Sequence, residues 1–511
     1  MSGPISLGPN GLDQTDVVAI ARAHHTMTLS PEALERIDAS AAVVERIVAN
    51  EEIAYGVTTG FGSLADTVVP VDRSAELQTA LIRSHAAGMG DAVEREVVRA
   101  MIALRARSLA MGYSGVRAVV VRRLLDFLDH DLTPVVPEFG SLGASGDLAP
   151  LAHVALCVLG EGSFLAEGGG VEPAADALSR FGLEPLELRA KEGLALINGT
   201  DGMLGMLVLA LDDLRRLSVT SDIVAACSVE GLMGTDRVFA ADLQALRPQV
   251  GQAVAAANLR SLLAESAIVE SHRLNDSRVQ DAYSLRCSPV VHGSLRDVIG
   301  FASNIADREL VAAIDNPMIL PDGRVESCGN FHGAPIAQAA DFLAVAIADL
   351  SALSERRTDR MLDRNRSHGL SPFLAADPGV DSGMMIGHYT QAAMVAENRR
   401  LAAPASVDTI PTSALQEDHV SMGWSACRKL RSAIVNLRRI LAVELVVAAR
   451  AVEMRELKPG RGVAAAVARL RREVPGLAPD RWLSPELSTA EQILAHPSFI
   501  DEVAAEVGGL E

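Results

Sequence analysis

Aromatic side chains make up only 3% of the 511 residues, as two Trp, four Tyr and eleven Phe. The core must therefore be filled by Ala, Leu, Val and Ile, which suits closely packed helices better than a β-sandwich. Cysteine is equally sparse. Cys157, Cys227, Cys287, Cys328 and Cys427 stand far apart and never as CxxC, so neither a zinc ribbon nor a disulfide framework is indicated, and a reducing compartment is expected. Basic residues are outnumbered 46 to 65, for a formal net charge of −19, which argues against a nucleic-acid surface or an anionic-membrane face. No apolar run reaches the roughly eighteen residues of a membrane span. The opening MSGPISLGPNGLDQTD has no basic segment leading into an apolar one. A cytoplasmic location is the expectation. GxGxxG, Walker A and GxSxG segments are missing, which removes nucleotide-binding and serine-hydrolase readings. His332, His419, Asp418 and Cys328 form no HxxxH or HxH pair, so no metal is expected.

With 49% hydrophobic and 22% charged residues, the chain is long enough for one large core or two moderate ones. Val93, Val97, Met101, Leu104 and Ser108 follow helical spacing. Asn198 to Gly234, Ala334 to Leu362 and Ser425 to Leu457 keep that spacing for about thirty residues each, longer than an ordinary globular helix. A mainly α fold built on a bundle of long helices is predicted, divided near residue 200 into an N-terminal region, 1–200, and a long-helix region, 201–511. Ser30-Pro31-Glu32 and Ser484-Pro485-Glu486 each predict a helix start, with Ser as N-cap and Pro in the first turn. Turn-forming residues gather at Val57 to Ser63, Pro134 to Pro150, Phe164 to Pro173 and Cys287 to Gly293, where chemistry is expected.

Residues 140–150 read GSLGASGDLAP. A plain reading is a surface turn followed by a helix capped by Asp147. A tight Ala144-Ser145-Gly146 turn allows a sharper one. The Gly146 nitrogen, unhindered by a Cβ, can be pressed onto the carbonyl carbon of Ala144. Loss of water from the closed ring, and of the Ser145 hydroxyl as a second water, would leave a methylidene on a conjugated imidazolone, an electrophile no standard side chain provides.

In this setting the chain resembles the aromatic amino acid ammonia-lyases, most closely those acting on histidine. Besides ASGDLAPLAH at 144–153, the resemblance rests on YGVTTGFG at 55–62, SHAAGMG at 84–90 and KEGLALINGT at 191–200. It continues through QDAYSLRC at 280–287, DNP at 315–317, GNFH at 329–332 and QEDHVSM at 416–422, and so covers nearly the whole chain. The resemblance implies an ammonia-lyase/fumarase-like long-helix bundle with a mixed N-terminal region bearing the loop. It also implies 4-methylidene-imidazole-5-one (MIO) formed autocatalytically from Ala144, Ser145 and Gly146, and a homotetramer with shared active sites.

The same resemblance implies residue roles, each with a chemical reason. Tyr55 matches a general base, which must take a poorly acidic Cβ proton with a phenol whose ordinary pKa is about 10. Arg286 matches the clamp for the α-carboxylate, suited by its two-pronged guanidinium. Asn198, Gln280 and Tyr283 correspond to positions around the cofactor and the substrate's amino-acid end, with Tyr283 in the catalytic set. His85 and Glu417 match the pair facing an imidazole ring, where an apolar phenyl ring would leave both unpaired. Phe331 is expected to supply an apolar wall. Thr58 and Leu415 depart from the family's usual Asn, and Asp201-Gly202 from its larger or neutral residues.

The implied reaction is non-oxidative loss of ammonia from L-histidine to give trans-urocanate. The rivals are a tyrosine or phenylalanine ammonia-lyase, an aromatic 2,3-aminomutase, and a catalytically silent helical oligomer. A small amino acid substrate is the expected partner, with neither nucleic acid nor membrane.

Overall fold

Helix Arg95–Ala110 is buried on every side from Val97 to Ala110, as a helix at the centre of a large core must be. Its three buried arginines reach distant backbone. Arg99 donates to Ile20 O at 3.1 Å and pairs with Asp131 at 2.8 Å; Arg105 donates to Ile314 O at 2.8 Å, and Arg107 to Ala312 O. The last two bonds fix the path of residues 312–316. The computed structural model describes residues 3–511 except 63–65, 167, 275 and 277.

The chain forms two compact units. The first contains Met1–Leu209, Ala302–Asp341 and Pro404–Arg428. The second contains Ala210–Phe301, Phe342–Ala403 and Lys429–Glu511. Four of the five boundaries fall inside the long helices Asp201–Gly231, Ser288–Leu310, Ala334–Leu362 and Gly423–Glu453, and the fifth follows helix Met385–Leu401. The expected mainly α architecture is present.

In the first unit the described strands form four two-stranded pairs. Ile5–Leu7 runs parallel to Met27–Leu29, with Ile5 opposite Met27. Met89–Ala92 pairs antiparallel with Pro137–Phe139 across a register shift. Ser163–Leu165 with Val171–Pro173, and Met318–Ile319 with Val325–Glu326, are also antiparallel. An apolar cluster of Val44, Ile47, Val57, Ala190 and Ile319 anchors the turn that carries Tyr55. Gln78, fully buried on helix Ser74–His85, accepts from Gly193 N at 2.9 Å and Leu194 N at 3.3 Å. That carbonyl satisfies two free N–H groups of helix Glu192–Ile197 and ties His85's helix to Asn198's.

In the second unit the core is helix on helix. Gly251 and Gly293 let helices Val250–Leu262 and Ser288–Leu310 touch through backbone, since a Cβ on Gly293 would stand 2.2 Å from Gln252 N.

The predicted long helices are observed, Ala334–Leu362 with the predicted ends and the other two with shifted ones, and Ser30 caps Pro31–Ala49 by accepting from Ala33 N at 3.1 Å. Two expectations fail. Cys287 to Gly293 is not a turn but opens helix Ser288–Leu310, because its glycine serves close packing. Ser484 is not an N-cap either: the helix begins at Leu483 after Trp482, and Glu486 pairs with Arg481. Two helical spans, Glu192–Gly231 and Ala334–Leu362, are long and apolar enough to cross a membrane; the apolar window of the first is wholly buried and that of the second 56% buried.

Candidate active site

The 141–147 loop is held on both flanks. Before the Ala-Ser-Gly triplet, Gly143 O accepts from Ser421 Oγ at 2.7 Å and Gly333 N at 3.3 Å, so three distant segments meet at one carbonyl. After it, Asp147 N donates to Gly199 O at 2.7 Å. The Asp147 carboxylate, fully buried, accepts from Ser141 Oγ, Gly202 N and Met203 N, each at 2.9 Å. It therefore serves the N-terminus of helix Asp201–Gly231 and makes no side-chain cap on the helix that follows it, Leu148–Val158. Burial pushes its carboxyl up to about 7, against the pull of those hydrogen bonds.

Gly146 stands at φ +74, and a Cβ there would lie 2.2 Å from Gly199 O, so only glycine fits. Ala144 is buried and Ser145 half-buried, with Ser145 Oγ donating to Glu417 Oε1 at 3.4 Å.

A cavity of about 410 Å³ in the first unit is lined by Tyr55, Gly62, Ala144, Ser145, Asn316, Ser327, Cys328, Phe331, His332, Gln416, Glu417, Asp418 and His419. Of the residues singled out in the sequence, Tyr55, Ala144, Ser145, Phe331 and Glu417 come together here. The Tyr55 hydroxyl oxygen accepts from Gly62 N at 3.2 Å. Gly56, at φ +67, brings the Tyr55 turn against Leu194, whose Cδ2 lies 2.6 Å from where a Cβ would be.

Gly146 lies in the same loop, just behind the lining. His85 ends its helix with Nδ1 donating to Leu81 O at 2.9 Å, which assigns the proton to Nδ1 and leaves Nε2 as the acceptor. Burial pushes its imidazole down, opposed by the Leu81 carbonyl and the Glu417 carboxylate. Asn198 is buried; its amide donates to Asn316 O at 2.9 Å, while Oδ1 has no partner. Beside it, Lys191 and Asp315 form a buried ion pair at 2.8 Å, and burial pushes the lysine down.

Gln280, Tyr283 and Arg286 belong to the second unit and are not among the lining residues. Gln280 is exposed, Tyr283 is 71% exposed, and the Arg286 guanidinium lies 4.5 Å from the Tyr283 ring centre. Residues not singled out as site candidates complete the wall. His332 and His419 stack with ring centres 5.6 Å apart, and Asn316 Oδ1 accepts from Cys328 N at 2.8 Å.

Thr58 and the Asp201-Gly202 pair find local contacts. The Thr58 hydroxyl donates to Glu52 O at 2.7 Å and accepts from Ala54 N at 3.0 Å, closing the turn. Gly202 leaves room for the Trp424 ring, 2.5 Å from where a Cβ would stand. Asp201 lies 3.4 Å from Arg105, both fully buried, an ion contact without hydrogen-bonding geometry.

A family model described as aromatic amino acid lyase matches residues 12–472. A histidine ammonia-lyase of Streptomyces avermitilis is 53% identical over 508 residues, covering 99% of each chain. Among solved structures, a tyrosine aminomutase from Streptomyces globisporus aligns with TM-score 0.93 at 36% identity, covering 98% of this chain and 99% of that one. A histidine ammonia-lyase from Trypanosoma cruzi aligns with TM-score 0.90 at 36% identity, covering 98% and 95%. On its loop, its cavity and these full-length similarities, the chain belongs to the aromatic amino acid lyase family.

Proposed function

We propose that the protein is a histidine ammonia-lyase, a carbon–nitrogen lyase converting L-histidine to trans-urocanate and ammonia. The observation that carries this reading is one cavity holding Tyr55, Ser145 and Glu417 together. Its support is the full-length similarity to proteins named for that reaction.

Residues 144–146 have the sizes and the constrained loop that MIO formation needs, and MIO supplies an electrophile that helps a poor amine leaving group depart. Around it, Tyr55 is placed to take the Cβ proton through its phenol oxygen. The Glu417 carboxylate accepts from the substrate ring N–H, with the His85 imidazole close enough to feel its charge. Phe331 walls the ring. The unpaired Asn198 Oδ1 is available to the substrate's ammonium end. Arg286, with Gln280 and Tyr283, holds the α-carboxylate from a neighbouring chain of a homotetramer; the exposure of Gln280 and Tyr283 in the second unit, away from this chain's own cavity, favours shared sites. All five cysteines are free, as a cytoplasmic location requires.

Incubating the purified protein separately with L-histidine, L-tyrosine and L-phenylalanine tests the reading. Urocanate and ammonia from histidine are expected; efficient release of coumarate or cinnamate with no urocanate overturns it.

A further inference from the structure

The two oxygens of Glu417 have different neighbours. Oε1 faces Ser145 Oγ at 3.4 Å, and Oε2 accepts from Thr412 Oγ1 at 2.8 Å. Thr412 is not a lining residue of the cavity, so its hydroxyl reaches the carboxylate from behind. The same pair closes a turn through backbone: Thr412 N donates to Glu417 O at 3.0 Å and Glu417 N to Thr412 O at 3.3 Å. Between them Ser413, Ala414 and Leu415 stand at φ 52, 53 and 70. Left-handed backbone is unfavourable for L-residues of these kinds. Three in succession persist only where flanking contacts over-determine the turn, and the Thr412–Glu417 bonds are those contacts.

We propose that Thr412 is a positioning residue for substrate choice. Its hydroxyl fixes one oxygen of Glu417, so the other is presented to the ring N–H of a five-membered nitrogen heterocycle. The terminal torsion of a glutamate is broad when unrestrained. Without the hydroxyl the carboxylate turns away from the direction a ring N–H needs. Ser421, Gly333, Ser141 and Gly199 make the backbone bonds that hold the 144–146 loop, and Thr412 makes none of them, so formation of the electrophile is expected to survive loss of its hydroxyl. This inference rests on the histidine reading.

The test compares wild type with Thr412→Val and Thr412→Ser, measuring the Kd of trans-urocanate by calorimetry, KM and kcat for histidine, and the mass of the peptide spanning 144–146. Loss of one hydrogen bond to a charged group predicts a Kd and KM about tenfold higher in T412V, with kcat moving less. T412S is expected to restore wild-type values, and the peptide mass to match wild type in all three proteins. Wild-type Kd and KM in T412V overturn the inference, as does T412S behaving like T412V. Should T412V fail to fold, T412S and T412A decide: a tenfold gap between them supports the role of the hydroxyl, and equality overturns it. A wild-type protein that neither binds urocanate nor consumes histidine overturns the histidine reading itself, and is seen before any variant is compared.

Discussion

In the second unit the Glu444 carboxylate, fully buried, accepts from Ser228 at 2.6 Å, Ser354 at 2.5 Å, and Arg357 Nε and Nη2 at 2.5 and 2.9 Å. In the first unit Asn198, Arg105 and Asp201 are buried as deeply. There Asn198 Oδ1, Arg105 Nε and Nη1, and both Asp201 oxygens lack hydrogen-bond partners. A buried carboxylate with four donors holds helices together and has nothing left to give a ligand. Of these, Asn198 bonds to Asn316 of the cavity wall, so its Oδ1 is an unsatisfied acceptor beside the cavity, held at a cost in stability.

Single changes break this contrast. The largest effect is expected from Ser145→Ala, which removes the proposed source of the methylidene: kcat is expected to fall at least about a thousandfold while Tm stays within about 2 °C. Glu444→Ala reverses the pattern. It leaves Arg357 charged and unpaired in the core and costs about 3–5 kcal/mol in denaturant unfolding, with kcat of the folded fraction preserved. If S145A unfolds, or E444A keeps wild-type stability, the two clusters do not differ as described.

Next in size are His85→Leu and Glu417→Gln, each expected to lower kcat/KM for histidine by about 10- to 100-fold with much smaller effects on any phenylalanine turnover. Equal losses on every substrate would show that the pair does not read the ring.

A pH effect belongs to the second unit. His292 is fully buried against Asp222, Ser221 and Arg357, with Arg296 also paired to Asp222, and burial pushes its imidazole below the usual histidine range. A depressed folded-state value means the contribution is present above the unfolded value of about 6.5 and lost as pH falls below it. Tm should therefore drop from pH 7 toward 5 less steeply in His292→Gln than in wild type; parallel curves would contradict this. The smallest effect concerns Leu415, 70% exposed at φ 70. Asn tolerates that backbone better, so Leu415→Asn should gain about 0.5–1 kcal/mol, seen as a small rise in Tm. An unchanged or lower Tm would count against strain in the 413–415 turn.

Much of this architecture is legible in the sequence, for local reasons. Helix Ala334–Leu362 is legible end to end because its apolar spacing is uninterrupted. Helix Ser288–Leu310 is not, because Pro289 and Gly293 imitate a turn where they open a helix and let it pack closely. In the site, Tyr55, Ser145 and Glu417 stand in recognisable motifs. The Asp147 side chain reads locally as a cap for its own helix, and only the return of the chain at Gly202 and Met203 gives it other donors. Thr412 carries no signal, since its bond to Glu417 exists only through an improbable left-handed turn. The motif around Arg286 is readable, but a residue proposed to act on another chain's cavity leaves no trace of that pairing in its own neighbourhood.

The mass of the peptide spanning residues 144–146, taken from freshly purified and folded protein, tests the ring closure most directly. A peptide lighter by two water molecules is predicted. A full-mass, open-chain peptide from protein that is folded and fresh would contradict it.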